Sequence, residues 1–222
     1  ALGYLALRAN TTGSQNTAIG STALYANTTA SNNTATGYNS LGANTTGSLN
    51  TAVGKDALSS NTTGAETTGF NSLRDSTTGD YNTSYGSGSL ALNTTGGSNV
   101  AVGLNALVAN TTGQRNTAVG TFALTSSTAW PNTAVGYRAL ASTTTQNLNT
   151  AVGYLALETN TVGYRLTAVG DLALRANTTG AQNVAVGTDS LLVNTTGYNN
   201  SAVGTYALKA NTTGHSNTAV GL

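Results

Sequence analysis

Large apolar, small apolar and turn-forming polar residues recur along this chain at fixed phase. One column of large residues contains Leu7, Leu24, Leu41, Leu58, Leu107, Leu124, Leu157, Leu174 and Leu208, with Leu in the intervening repeats as well. A second contains Val53, Val102, Val119 and Val203. Ala or Ser stands before every Leu of the first column, and Ala before each of these Val. A Gly ends each unit, from Gly3, Gly20, Gly37, Gly54 and Gly69 to Gly204 and Gly221. Eleven of its thirteen intervals are 17 residues, and the others are 15 (Gly54 to Gly69) and 16 (Gly120 to Gly136). The consensus is G-x-x-A-L-x-x-N-T-T-G-x-x-N-T-A-V.

A two-helix repeat needs about 33–47 residues. A single helix is opposed by two Gly and an Asn-Thr-Thr in each unit. The period therefore predicts an all-β parallel β-solenoid of about thirteen 17-residue coils. Each coil is expected to hold two short strands, one at T-A-V and one around A-L, joined by turns in which Gly supplies positive φ. Coils stacked about 4.8 Å apart would make a rod about 60 Å long. The whole chain, 1–222, reads as a single repeat domain with irregular coils at 65–85 and 125–148.

In such a stack each residue lies on its own copy. Leu on Leu and Val on Val are expected to form a dry core ladder, and Asn and Thr columns can hydrogen-bond along the axis. Like charges would repel, which accounts for a charged fraction of 7% against roughly 25% in ordinary domains. Alternation along a strand would send Ala52 and Ala57 outward if Val53 and Leu58 point in. Two explanations then exist for those small columns. They face another chain at close range, or they line a sharp corner where space is short.

The stretch N-T-A-V-G-x-x-A-L resembles the N-S-x-A-I-G-x-x-A repeat of trimeric autotransporter adhesin heads. That resemblance implies a left-handed parallel β-roll with three chains side by side. The complete unit, longer by its N-T-T-G turn, is similar to repeats of phage tail fibres and related surface fibres.

Net charge is +1, so nothing favours nucleic acid or an anionic membrane. The chain has no Cys, hence no disulfide and no thiolate metal site. No run of 18 apolar residues is present to span a bilayer as a helix. Neither an initiating Met nor a signal-peptide pattern stands at Ala1, so a processed product or a part of something longer is expected. His215 is the sole His and occupies a variable turn position. Nucleophile–His chemistry has almost no material, and no enzyme, cofactor or metal is expected.

Three sets of residues are candidates for contacts. Aromatic residues after the recurring Gly (Tyr4, Tyr38, Phe70, Tyr137, Tyr154) form a broken surface stripe, suited to a sugar or to a second chain. Trp130 and Pro131, each unique in the chain, fall in an irregular coil that is either a ligand patch or simple loop drift. Asn-Thr-Thr at Asn10, Asn44, Asn110, Asn177 and Asn211, and at their counterparts, is formally a glycosylation sequon. Alternatively these Asn cap turns and stack as an amide ladder.

The expected function is a structural or adhesive fibre segment, extracellular, on a cell surface or on a virion. Both chain ends fall at the same Val-Gly phase without a polar cap, which predicts longer neighbours or end-to-end stacking. Partners would be copies of the chain itself, as a trimer or filament, and a surface glycan or receptor. The competing expectation is an ice-binding or glycan-binding solenoid.

Overall fold

The computed structural model describes residues Ala1–Gly221. It is all-β: thirteen short parallel strands form a β-solenoid of about twelve turns at 17-residue spacing, with no helix among the described residues. The chain comprises two compact units. Ala1–Gln114 carries β1 (Thr17–Ile19), β2 (Thr34–Thr36), β3 (Thr51–Val53), β4 (Thr68–Phe70), β5 (Thr83–Tyr85) and β6 (Val100–Val102). The unit beginning at Arg115 carries β7 (Thr117–Val119), β8 (Asn132–Val135), β9 (Asn149–Val152), β10 (Thr167–Val169), β11 (Val184–Val186), β12 (Ser201–Val203) and β13 (Thr218–Val220). Within each unit every strand pairs in parallel with the next, like residue on like: Ala18 on Ala35 and Ala35 on Ala52, or Ala168 on Ala185.

Each turn holds one strand, not two. The segment around A-L is a run of tight turns instead. Ala57 N–H donates to the Gly54 carbonyl, Ser59 to Asp56 and Asn61 to Leu58. Asp56 and Leu58 sit at φ 55 and 52, the positive value that the third residue of a type II turn needs. A left-handed residue other than Gly costs about 1–2 kcal/mol. Leu58 is completely buried, and burying a Leu contributes about 1.5–3 kcal/mol. Leu41 also donates its N–H to the Ala57 carbonyl of the next turn at 3.0 Å. Packing and stacking together hold a conformation that Leu alone avoids.

The inside and outside of the strand are the reverse of the sequence expectation. Val53, Val102 and Val119 are half-buried and Val203 is 43% exposed; they do not belong to the core. Ala52 and Ala57 are fully buried. A Cβ at position 69, in the strand-centre column, would lie 3.2 Å from Leu58 Cγ. The Leu side chain therefore reaches across the turn onto the strand centre and leaves room there for Ala only. Small residues in both columns follow from a narrow interior rather than from a neighbouring chain. Leu24, Leu41, Leu58, Leu107, Leu124, Leu157 and Leu174 are wholly buried, while Leu7 and Leu208 are half-buried.

Gly69 is not a corner glycine. It pairs with Ala52 at the strand centre, and Phe70 pairs with Val53. The corner is taken by Asn71 at φ 47, whose N–H donates to the Val53 carbonyl. Two residues are thus missing between Phe70 and Leu73, and Thr67-Thr68-Gly69-Phe70 stands for N-T-A-V. A true corner such as Gly20 has φ 130, and a Cβ there would collide with the Gly37 carbonyl of the next turn.

Candidate functional surfaces

Two columns of Asn run through the interior. Asn44 of the Asn-Thr-Thr turn donates Nδ2 to Asn27 Oδ1 of the previous turn at 3.0 Å and to the Gly47 carbonyl at 2.9 Å. Asn33 of the N-T-A-V column donates to the same Gly47 carbonyl at 3.0 Å. Its Oδ1 accepts from the Asn50 backbone N–H. All four of these Asn are fully buried. Burial of a carboxamide is unfavourable unless it is hydrogen-bonded, and this arrangement supplies both partners repeatedly.

That placement overturns the glycosylation reading. Asn44, Asn110 and Asn177 are completely buried. Asn10 and Asn211 are half-buried and donate Nδ2 to the Gly13 and Gly214 carbonyls. The nitrogen that would carry a glycan is committed inside the turn.

Threonines divide into two classes. Those of the Asn-Thr-Thr turn stitch turns together, Thr28 Oγ1 donating to the Thr45 carbonyl and Thr178 to Thr195. Strand threonines such as Thr34, Thr51, Thr133 and Thr150 lie beside Val or Thr on the outer strand face, with the Ala between them buried. Among the described residues their hydroxyls make no hydrogen bond within the chain. No charged residue stands in either outer column.

Of the aromatic candidates, Tyr4 and Tyr38 are 75% and 55% exposed and stand two turns apart. Tyr137 and Tyr154 stack at 5.5 Å between centroids, with Phe122 edge-on to Tyr137 at 6.4 Å. Phe70 leaves the predicted stripe for the strand face and stacks on Tyr85 at 4.5 Å. Periodicity did not single out the Tyr198–His215 stack at 4.7 Å, although both residues follow a turn Gly and are 17 apart. Trp130 is half-exposed beside an open depression of about 410 Å³ lined also by Thr128, Ala129, Thr145 and Asn147.

Charges pair locally. Glu158, with its side chain 11% exposed, is held between Arg138 and Arg175 at 2.9 and 3.0 Å. Lys209 meets Asp189 at 2.7 Å. Arg74 and Asp75 form an exposed pair; its hydrogen bond holds the Asp75 carboxyl below the usual range and raises the Arg74 guanidinium. Among the described residues no cluster of three or more His, Asp or Glu is placed to hold a metal ion. Nor is any helix long and apolar enough to cross a membrane.

The fold and its surfaces define a β-solenoid repeat protein. Comparison with protein families, curated proteins and solved structures finds no match.

Proposed function

We propose that the chain is a segment of a structural or adhesive extracellular fibre, carried on a cell surface or a virion. Its turns supply length and stiffness, and copies associate side by side or end to end. The observation that carries this reading is the in-register stack of one short turn upon another throughout each unit. Such a section can be extended by adding turns, because every column accepts its own copy above and below. The uncharged strand face supports side-by-side contact, since Thr and Val can be desolvated without stranding a charge. We assign no catalysis to it.

Sedimentation equilibrium with electron microscopy of the purified chain tests the reading. Trimers or filaments of elongated particles are the expected result. A monomer at every concentration, showing only short isolated particles, overturns it.

A second reading, ice binding, is favoured by one specific observation: the strand threonine hydroxyls have no hydrogen-bond partner among the described residues. They stand about 4.8 Å apart from turn to turn, with methyl groups alongside. Thermal hysteresis in the purified chain would support it. Its absence, with freezing indistinguishable from that of a non-binding control protein, would remove it.

A further inference from the structure

We infer that the depression beside Trp130 is a binding site for a neutral saccharide ring. The site gives the adhesive part of the proposed function a ligand class and rests on that part only.

One turn breaks a rule that the others keep. Twelve turns place a residue with φ between 52 and 64 at one position: Gln15, Asn32, Leu49, Glu66, Tyr81, Ser98, Arg115, then Leu148, Arg165, Gln182, Asn199 and Ser216. Pro131 occupies that position in the remaining turn. Its ring fixes φ near −65°, so the left-handed conformation is unavailable. The backbone responds locally. Elsewhere the residue before this position offers its carbonyl to the next turn, as Tyr164 does to Gln182 N–H at 3.0 Å. Here Pro131 itself accepts, from Leu148 N–H at 2.8 Å. The turn is also one residue short, with Ala129 in the place of the second Gly. Trp130 takes the position that Tyr164 and Tyr198 hold in regular turns, and stands 48% exposed at the edge of the depression.

The walls are nevertheless fixed. Asn116 Nδ2 donates to the Ala129 carbonyl at 2.7 Å, and Asn116 Oδ1 accepts from the Asn132 N–H at 2.9 Å. Both ends of the Trp130–Pro131 segment are thus held by one buried side chain. On the opposite wall, Asn132 Nδ2 holds the Gln146 carbonyl at 2.9 Å. Thr145 and Asn147 flank Gln146, both are exposed, and neither side chain has a hydrogen-bond partner among the described residues. An indole, a hydroxyl and a carboxamide therefore converge on a preorganised depression of about 410 Å³ with no charged side chain in its lining. Its volume lies within the range of ligand sites, about 300–1,000 Å³.

The chemistry selects the ligand. An indole offers an apolar surface that the C–H face of a pyranose covers. The amide and hydroxyl donate to and accept from ring hydroxyls. Lack of charge disfavours phosphates, carboxylates and amines, which would lose hydration without a counter-charge.

Because Trp130 is the sole Trp, its fluorescence reports on this site alone. The full chain is titrated with the methyl glycosides of glucose, galactose, mannose and N-acetylglucosamine. A saturable change in emission with at least one of them, together with reduced acrylamide quenching, is the expected result. Asn147→Ala and Thr145→Ala should each weaken that response about fivefold, the loss of a neutral hydrogen bond, with the circular dichroism unchanged. Absence of saturation with every glycoside, or a drift reproduced by glycerol, overturns the site. So does an undiminished affinity in both variants. Sugar binding by a chain that stays monomeric would retain the site and overturn the fibre; filaments without a sugar response would do the reverse.

Discussion

Asn44 and Asn27 lie one turn apart with the amide nitrogen of one 3.0 Å from the amide oxygen of the other, both shut off from solvent. The contact recurs between Asn61 and Asn44 at 2.8 Å, and between Asn194 and Asn177 at 2.9 Å. A ladder of buried amides thus runs through the interior beside the ladder of buried Leu.

Asn44→Ala should lower stability by about 3 kcal/mol, through the two hydrogen bonds it donates, the one it accepts from Asn61, and the stranded Oδ1 of Asn27. Asn44→Asp should cost more at neutral pH, because a carboxylate cannot donate to the Gly47 carbonyl. Burial raises its pKa in the fold, so acid should recover part of the loss. Urea unfolding at pH 7 and pH 4 measures both; equal midpoints for Asp and Asn at pH 7 would contradict the role of the amide donor.

The ladder has a gap that substitution can close. Ser76 stands where the next Asn would be, and both Asn61 Oδ1 and Ser76 Oγ are buried without a partner. Asn93 Nδ2 correspondingly reaches only the Gly96 carbonyl. Ser76→Asn should add about 1–2 kcal/mol, read as a raised urea midpoint with an unchanged slope.

Two glycines of neighbouring columns should differ in tolerance. Gly20→Ala places a side chain at φ 130 against the Gly37 carbonyl and should cost at least about 2 kcal/mol. A Cβ at Gly47 would also meet a backbone carbonyl of the next turn, that of Gly64, but Gly47 has no positive φ, and the same column accommodates Ala30 one turn earlier, still accepting from Asn27 at 3.1 Å. Gly47→Ala should therefore cost clearly less. Thermal unfolding of the two variants side by side decides the order.

Ion pairs should matter according to burial. Glu158→Gln removes the charge that Arg138 and Arg175 share and should cost about 1–2 kcal/mol, less in high salt. Asp75→Asn should change stability by under about 0.5 kcal/mol, since both partners are well exposed. Its sign follows from the lowered Asp75 pKa. The pair stabilises above the ordinary carboxylate range, and that contribution disappears as pH falls through the folded-state value. Urea midpoints against NaCl for the first, and against pH for the second, provide the check.

Much of the fold was legible because a stacked turn must be compatible with itself. Leu over Leu, Asn over Asn and scarcity of charge are conditions on each column, and a column is visible as a period. The period, with the Gly and Asn-Thr-Thr of each unit, was sufficient to exclude helices and to set the number of turns to within one. Trp130 was also visible, as a unique residue in a broken unit. Facing was not legible. A strand alternates its side chains, and the string T-A-V does not say which parity is inside; a large Val looks like core and a small Ala looks like surface. The reach of Leu58 across the turn reverses that choice. Left-handed Leu residues were equally hidden, because the free residue disfavours a conformation that burial and cross-turn hydrogen bonds impose. For the Asn of the Asn-Thr-Thr turn the sequence left a glycan site and an amide ladder both open, and the fold decides for the ladder by turning the amide inward. Recurrence along the chain therefore establishes the stack, whereas the width of the interior, set by side chains meeting across it, decides what each residue faces.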